Sequence, residues 1–307
     1  MEALLTTCLS KICEEISRES DLNKKMKLVD DVTEFLLVTP DVFSSSDMTW
    51  RQFLYSSIRH LLSSKLPAKD RKKLFKLISS LVLGFGRTNW FMAEDGEWSD
   101  ADVTYFHLLS RYTCIEIAML LDDRQPGNID SDFLGCILII LEHCLICLVE
   151  CDAVTSHLTP DQICALIVSI RSVSLTMMEF ADLHKDDDEY TLIIRSMIRL
   201  ISLWVREDNE GVSVDAGNTF AAVVVAVLMK CQDDTMTVSA DSHDLLHAAI
   251  CSISALPPDC LPAVDELRTQ IIRLLSICQH EPDPDSSCAS VRESFRCYVD
   301  GSAAVSS

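Results

Sequence analysis

Glycine and proline are scarce in this sequence, with 8 and 9 copies among 307 residues. Turns of β-rich folds, collagen and low-complexity disorder all use these residues heavily, so their scarcity argues against those classes. Phosphate-binding and dinucleotide-binding loops need several closely spaced glycines. The nearest approach, Gly84-Phe85-Gly86, has neither a third glycine nor a following lysine. The sequence therefore also argues against the common nucleotide-binding folds.

Positive charge is in short supply as well. The chain has 26 Lys+Arg against 47 Asp+Glu, which gives a formal net charge of −21. Residues 1–90 hold 14 basic and 11 acidic groups, whereas residues 91–307 hold 12 and 36. Such an acidic surface repels nucleic acid and anionic lipid, so we expect neither as a partner.

We expect the amino terminus to form a first amphipathic helix and not a signal peptide, because Glu2 comes early and no unbroken apolar stretch precedes Lys11. The 14 cysteines are therefore expected to be reduced cytosolic thiols. The most apolar run, residues 133–149, carries Glu142 and His143 at its centre, where a bilayer would penalise both. We predict that this run is a buried helix and that the chain has no transmembrane segment.

Hydrophobic residues recur at helical spacing along most of the chain, which predicts about ten or eleven helices. The sharpest boundary is Thr159-Pro160-Asp161-Gln162, where Thr can cap, Pro suits the first position and Gln can complete a capping box. Ser99 is a second predicted N-cap. Predicted helices cover about residues 2–19, 22–38, 48–64, 68–85, 99–121, 131–152, 159 onward, 190–206, 214–231, 242–255 and 261–279.

Helices paired by short joints predict an all-α fold, a solenoid of the armadillo or HEAT kind. A compact helical bundle is the alternative, because periodicity does not separate the two. We expect a single solenoid domain over residues 1–280. Residues 281–307, with Pro282, Pro284 and a serine-rich end, are expected to form a largely flexible tail.

One local basic run, between residues 65 and 76, stands out in the acidic chain. Its lysines and arginine could meet an acidic partner, serve as an import signal, or form a solvated helix face. Trp98, in an acidic loop, is either an exposed contact or a side chain folded back on the core, while Trp204 on an apolar helix is expected to be core. The candidate partner-binding residues are Lys65, Lys69, Arg71, Lys72, Lys73, Lys76 and Trp98.

Two patterns resemble metal sites. Four cysteines share one face of the helix at about 131–152, but no second ligand pair follows, so we interpret them as small core residues. His243 and His247 lie one turn apart, with Glu266 downstream, yet Asp244 replaces the general-base Glu of zinc proteases. We predict a solvated first helical turn there, and no catalytic residue, cofactor or metal. The four cysteines are Cys136, Cys144, Cys147 and Cys151.

Two segments resemble a known family, the neurochondrins. Residues 105–123 have a Leu-Leu pair, then Cys114-Ile115-Glu116-Ile117, then an acidic pair, as in that family. Residues 198–208 resemble the family's aliphatic-Arg-aliphatic run that ends in Trp and two acids. Ser64-Lys65-Leu66 and Trp90 fall in similar order and spacing. The similarity covers about residues 15–230 and the middle portion of the family's length.

This resemblance implies an armadillo-like, non-enzymatic cytosolic adaptor without a cofactor. It further implies roles in neurite outgrowth and dendrites, restraint of calcium/calmodulin-dependent kinase signalling, and partners such as signalling kinases or receptor cytosolic tails. A nuclear-transport or trafficking adaptor is the alternative, since it would share the same coarse features. A zinc hydrolase is a weak third, and it predicts stoichiometric metal that is lost when His243 and His247 are changed.

Overall fold

A computed structural model describes residues 2–44, 49–86, 90–91, 98–122, 129–208 and 211–233, with Ala248, Ser252, Leu256, Cys260 and Thr269. Within these residues the regular structure is ten α-helices and two short 3-10 helices, and no strand occurs. The predicted all-α class is confirmed. The α-helices are α1 Glu2–Arg18, α2 Leu22–Val38, α3 Thr49–Leu62, α4 Ala68–Phe85, α5 Asp100–Asp122, α6 Ser131–Glu150, α7 Asp152–His157, α8 Pro160–His184, α9 Thr191–Glu207 and α10 Val214–Asp233. The 3-10 helices are Pro40–Ser44 and Asp188–Tyr190.

Both predicted N-caps form, each as a reciprocal pair. The Gln162 amide N donates to Thr159 Oγ1 at 3.3 Å, and the Thr159 amide N donates to Gln162 Oε1 at 2.9 Å. At the start of α5 the Asp102 amide N donates to Ser99 Oγ, and the Ser99 amide N donates to Asp102 Oδ2 at 3.0 Å. These bonds satisfy amides that have no partner inside the helix, so short local patterns fix where α5 and α8 begin.

The short helix α7 was not predicted, because the sequence pattern continued α6 to about residue 152. Cys151 adopts an extended conformation, with φ −116° and ψ 90°, which ends α6 and begins α7. Val154 then anchors α7 with a fully buried side chain. A break made by one extended cysteine, without proline or glycine, leaves no mark in hydrophobic periodicity.

The described helices fall into two compact units, divided inside α8 between Ser169 and Ile170. In the first unit α1 contacts α3, α2 contacts α4, and α4 contacts α6, while α1–α2, α3–α4 and α5–α6 are neighbouring pairs. Every second helix is thus a neighbour, which is the contact pattern of stacked helix pairs. In the second unit α9 contacts α10 and the second 3-10 helix. A single solenoid domain over residues 1–280 stays a prediction, and residues 281–307 lie outside the described part.

Helices α2 and α4 run parallel to each other. Asp30, in the middle of α2, forms an ion pair with Lys73 near the start of α4. Phe43, which follows α2 in the first 3-10 helix, meets Phe85 at the end of α4, with ring centroids 5.0 Å apart. The amino ends of α2 and α4 therefore lie on the same side of the unit.

The core of the first unit contains a cluster of aromatic rings joined by hydrogen bonds. The Tyr55 hydroxyl donates to Asp102 Oδ1 at 2.6 Å, and Trp90 Nε1 donates to the Tyr105 hydroxyl oxygen at 3.2 Å. Asp102 is only 2% exposed, and burial raises the pKa of the Tyr55 phenol far above its ordinary value. The buried carboxylate therefore keeps its donor, and α3 is fixed to the start of α5.

Helices α6 and α8 are each long and apolar enough to cross a membrane, by length and composition only. The core helix of a soluble protein can be equally long and apolar. Half of the most apolar window of α6 is buried, and α6 packs against α4, α5 and α7. Phe133, Leu134, Ile137 and Leu141 of α6 are all at most 4% exposed, as the buried-helix prediction requires.

Candidate partner-binding surface

The basic run lies on the turn before α4 and on the first half of that helix. Leu74, Leu77, Ile78 and Leu81 are fully buried and fix α4 in the unit. This apolar stripe leaves the basic residues on the remaining faces. In the sequence the six basic side chains form one group. The structure divides them into three that form ion pairs and three that do not, among the described residues.

Three of the six bind carboxylates on three other parts of the first unit. Arg71 Nε donates to Glu116 Oε1 of α5 at 2.5 Å, and Arg71 also donates to the Leu66 carbonyl oxygen at 3.0 Å. Lys73 Nζ lies 2.5 Å from Asp30 Oδ2 of α2. Lys72 forms an ion pair with Asp130, the residue that caps α6. Part of the predicted binding run therefore holds α4 to its neighbours.

The other three cations have no ion-pair partner among the described residues. Lys65 and Lys69 are exposed, so their charge faces solvent. Lys76 is half-buried and lies near the Cys136 thiol, whose pKa is raised by burial and lowered in part by that lysine. Lys65 and Lys69 are thus the members of the run that a partner can reach directly.

Trp98 is buried rather than exposed. Its side chain is 7% exposed, and its ring meets the Phe106 ring edge to face, with centroids 5.8 Å apart. Of the two expectations, the one in which the loop residue folds back on the core is right, and the exposed contact is wrong. Burying a large aromatic surface next to Ser99, the cap of α5, explains this position.

A second basic run on α2 was overlooked in the sequence. Lys24 and Lys27 are exposed and Lys25 is half-buried, all within the first two turns of the helix. The available signal was their spacing of three residues, which puts Lys24 and Lys27 on one helix face. Because α2 and α4 are parallel neighbours, this run lies beside the amino end of α4.

The prediction that the four cysteines on one face of α6 are core residues is confirmed for two of them. Cys144 and Cys147 are buried, while Cys136 and Cys151 are half-buried. Burial raises the pKa of Cys144 to about 12, and burial is also the main cause of the raised pKa of Cys147. Thiols that stay protonated at neutral pH are poor nucleophiles and poor metal ligands.

Neither metal pattern of the sequence gains support. In the described ranges no three His, Cys, Asp or Glu side chains come together in a way that could hold a metal ion. His243, His247 and Glu266 lie outside those ranges. No disulfide is formed by Cys8, Cys13, Cys114, Cys136, Cys144, Cys147, Cys151, Cys164 or Cys260.

The segment that ends in Trp204 forms a charged junction in the second unit. Asp208 accepts two hydrogen bonds from Arg171, at 2.5 and 2.7 Å, and a third from Trp204 Nε1 at 3.0 Å. The hydrogen bond from Arg171 is the main reason that the pKa of Asp208 is lowered. Trp204 itself is 4% exposed, which confirms the prediction that it is a core residue.

Comparison with known proteins identifies one family. A family model described as neurochondrin matches residues 1–255 of the chain. The match contains both segments on which the sequence resemblance was based. It also extends beyond residues 15–230, the range of that resemblance, towards each end of the chain. Neither the curated proteins nor the solved structures include a match to the chain.

Proposed function

The chain belongs to the neurochondrin family, and from this membership we propose that it is a cytosolic adaptor that binds other proteins. Family membership supports the protein-interaction role, and the family is not a known enzyme family. The family is also generally soluble and cytoplasmic, which supports placement in the cytosol. No cofactor or metal is needed for this function.

The observation that carries the proposal is the pair of exposed lysines on the turn before α4 and its first turn. Lys65 and Lys69 present positive charge to solvent in a chain whose net charge is −21. A local patch of opposite sign directs an acidic partner to one place, because the rest of the chain repels it. The proposed binding surface therefore begins with these two side chains, and Lys76 lies further along the same helix.

The finer function follows from the family resemblance. We assign the adaptor a role in neurite outgrowth and neuronal signalling, including restraint of calcium/calmodulin-dependent kinase signalling. Its partners are signalling kinases or receptor cytosolic tails. The mechanism is sequestration: a bound partner segment is covered by the adaptor, and its carboxylates are neutralised by the lysines. Binding alone then lowers kinase signalling without any chemical step.

A kinase assay tests this role. Purified calcium/calmodulin-dependent kinase phosphorylates a peptide substrate in the presence of increasing amounts of the chain. We expect the chain to lower the phosphorylation rate, and we expect Lys65→Glu/Lys69→Glu to lose this effect. The matched control is Lys11→Glu/Arg111→Glu, which changes the same amount of charge at exposed positions on α1 and α5. Phosphorylation that is unaffected by the parent chain would rule out the kinase role.

A further inference from the structure

The basic runs of α2 and α4 meet at one end of the first unit. Lys73 is paired with Asp30, and this ion pair fixes the relative positions of α2 and α4 along their axes. Lys27 lies three residues before Asp30, and Lys69 lies four residues before Lys73. With a rise of about 1.5 Å per residue, the backbones at Lys27 and Lys69 are level to within about 2 Å. Neighbouring helix axes lie about 8–10 Å apart, so the two lysines are close neighbours.

Lys24 lies one turn before Lys27 on α2, and Lys65 lies on the turn that leads into α4. The exposed residues Lys24, Lys27, Lys65 and Lys69 together form what we name the amino-end surface. In the described part of the chain, none of the four has a carboxylate within ion-pair distance. The surface therefore combines cations from two segments that lie about 40 residues apart in sequence.

The nearby carboxylates are buried, paired with other lysines, or exposed at the edge of the amino-end surface. Asp70 of α4 is only 4% exposed, and Asp30 and Asp130 are occupied by Lys73 and Lys72. Asp21 accepts a hydrogen bond from the Lys24 amide N as the cap of α2. Asp31, one turn beyond Lys27 and exposed, marks the edge of the surface.

We infer that the amino-end surface binds an extended acidic segment of a protein partner that crosses from α2 to α4. This inference rests on the proposed adaptor function and assigns it a partner chemistry. An extended chain advances about 3.3 Å per residue, so carboxylates about three residues apart match the distance between the two helices. A peptide with a few carboxylates is repelled less by the remaining acidic chain than a nucleic acid, which carries charge at every nucleotide.

A binding titration with the full chain tests the inference. The probe is a fluorescein-labelled peptide of about twelve residues with Glu at every third position, and fluorescence anisotropy at low ionic strength reports its affinity. Two double variants, Lys24→Glu/Lys27→Glu and Lys65→Glu/Lys69→Glu, are each expected to weaken binding about tenfold. Lys11→Glu/Arg111→Glu serves as the matched control, with a change expected to stay below about twofold. Glutamate near a helix amino end suits the helix dipole, so both pairs of substitutions preserve the fold, which circular dichroism checks.

The outcomes separate this inference from the proposed function. Weakening by both double variants, but not by the control, supports binding across α2 and α4. If only Lys65→Glu/Lys69→Glu weakens binding, α4 acts alone, so the inference fails while the proposed surface stands. If neither variant changes the affinity, both fail. Tighter binding of a single-stranded oligonucleotide of equal length, or of anionic phosphatidylserine vesicles, would contradict the acidic-peptide assignment.

Discussion

Gly211 lies where any side chain would collide with an ion pair. A Cβ atom at this position would be 2.5 Å from Arg171 Nε and 2.6 Å from Asp208 Oδ2. The two atoms form one hydrogen bond of the Arg171–Asp208 pair, so an added Cβ atom would force the ends of both side chains to shift. Glycine therefore leaves room for this ion pair at the junction that follows α9.

We expect Gly211→Ala to lower the free energy of unfolding by about 1–3 kcal/mol, the usual range for overpacking. The control is Gly135→Ala in α6, where a Cβ atom meets nothing within 4 Å. Alanine is favoured over glycine inside a helix, so this change should stabilise by about 0.5–1 kcal/mol. Urea unfolding followed by circular dichroism measures both. If the two substitutions changed the free energy of unfolding equally, the predicted collision at Gly211 would be wrong.

Asp208 makes the stability of the same junction depend on pH. Arg171 lowers the pKa of this carboxyl below its ordinary value, chiefly through its hydrogen bond. A lowered pKa contributes stability above the unfolded value of about 4, and this contribution is lost as pH falls through the folded value. We expect Asp208→Asn to lower the melting temperature at neutral pH and the difference from the parent to shrink below about pH 4. A difference independent of pH would contradict this account.

At this scale the sequence indicated Trp204 but not its partners. An apolar helix with a tryptophan predicts burial, because a large ring has few other places in a packed helical protein. Arg171 lies 37 residues before Asp208, on a different helix. Hydrophobic periodicity shows only which residues of one helix share a face. It does not show contacts between residues 37 positions apart, so only the folded chain reveals the Arg171–Asp208 pair.

On helix α4, the basic residues differ by their contacts rather than by their type. Arg71 neutralises Glu116, whose side chain is only 11% exposed, whereas Lys69 is exposed. A buried carboxylate that loses its cation pays a desolvation cost, while an exposed lysine contributes little to stability. Arg71 and Lys69 therefore separate the structural part of the run from the part available to a partner.

We expect Arg71→Ala to lower the free energy of unfolding by about 1.5–3 kcal/mol, the range for hydrogen bonds to charged groups. Lys69→Ala, on the same helix, should change it by less than about 0.5 kcal/mol. Urea unfolding of the two variants beside the parent chain measures the difference. If both substitutions have the same effect, the ion pair with Glu116 does not hold α4 in place.

The elements themselves were largely predictable. The bounds of α2 and α4 agree with their predicted ranges, because apolar periodicity and the turns around Pro40 and Pro67 are local signals. The division of the basic run into paired and exposed residues was not predictable. The carboxylates that pair with Lys73, Arg71 and Lys72 lie 43, 45 and 58 residues away in sequence, and they are Asp30, Glu116 and Asp130. Trp98 was left open because hydrophobic periodicity does not show whether a residue just before a helix turns its ring towards that helix, as Trp98 does towards Phe106.

Across the whole molecule, charge is the property that decides how partners approach. A net charge of −21 repels acidic partners at long range, and the exposed lysines of the first unit counter it locally. The difference in affinity between the parent chain and Lys65→Glu/Lys69→Glu should shrink as salt is added, because screening shortens the reach of the lysines. An interaction driven by apolar contact would not depend on salt in this way.

The central claim is that this neurochondrin-family chain binds proteins through Lys65 and Lys69 at the start of α4. Quantitative affinity capture tests it most directly. The parent chain, Lys65→Glu/Lys69→Glu and Lys11→Glu/Arg111→Glu are each used as bait in neural cytosolic extract, and captured proteins are quantified by mass spectrometry. We predict that signalling kinases or receptors with cytosolic tails are retained by the parent and the control and are lost with Lys65→Glu/Lys69→Glu. Equal capture by all three baits, or selective capture of nuclear-import or small-GTPase machinery, would contradict the account.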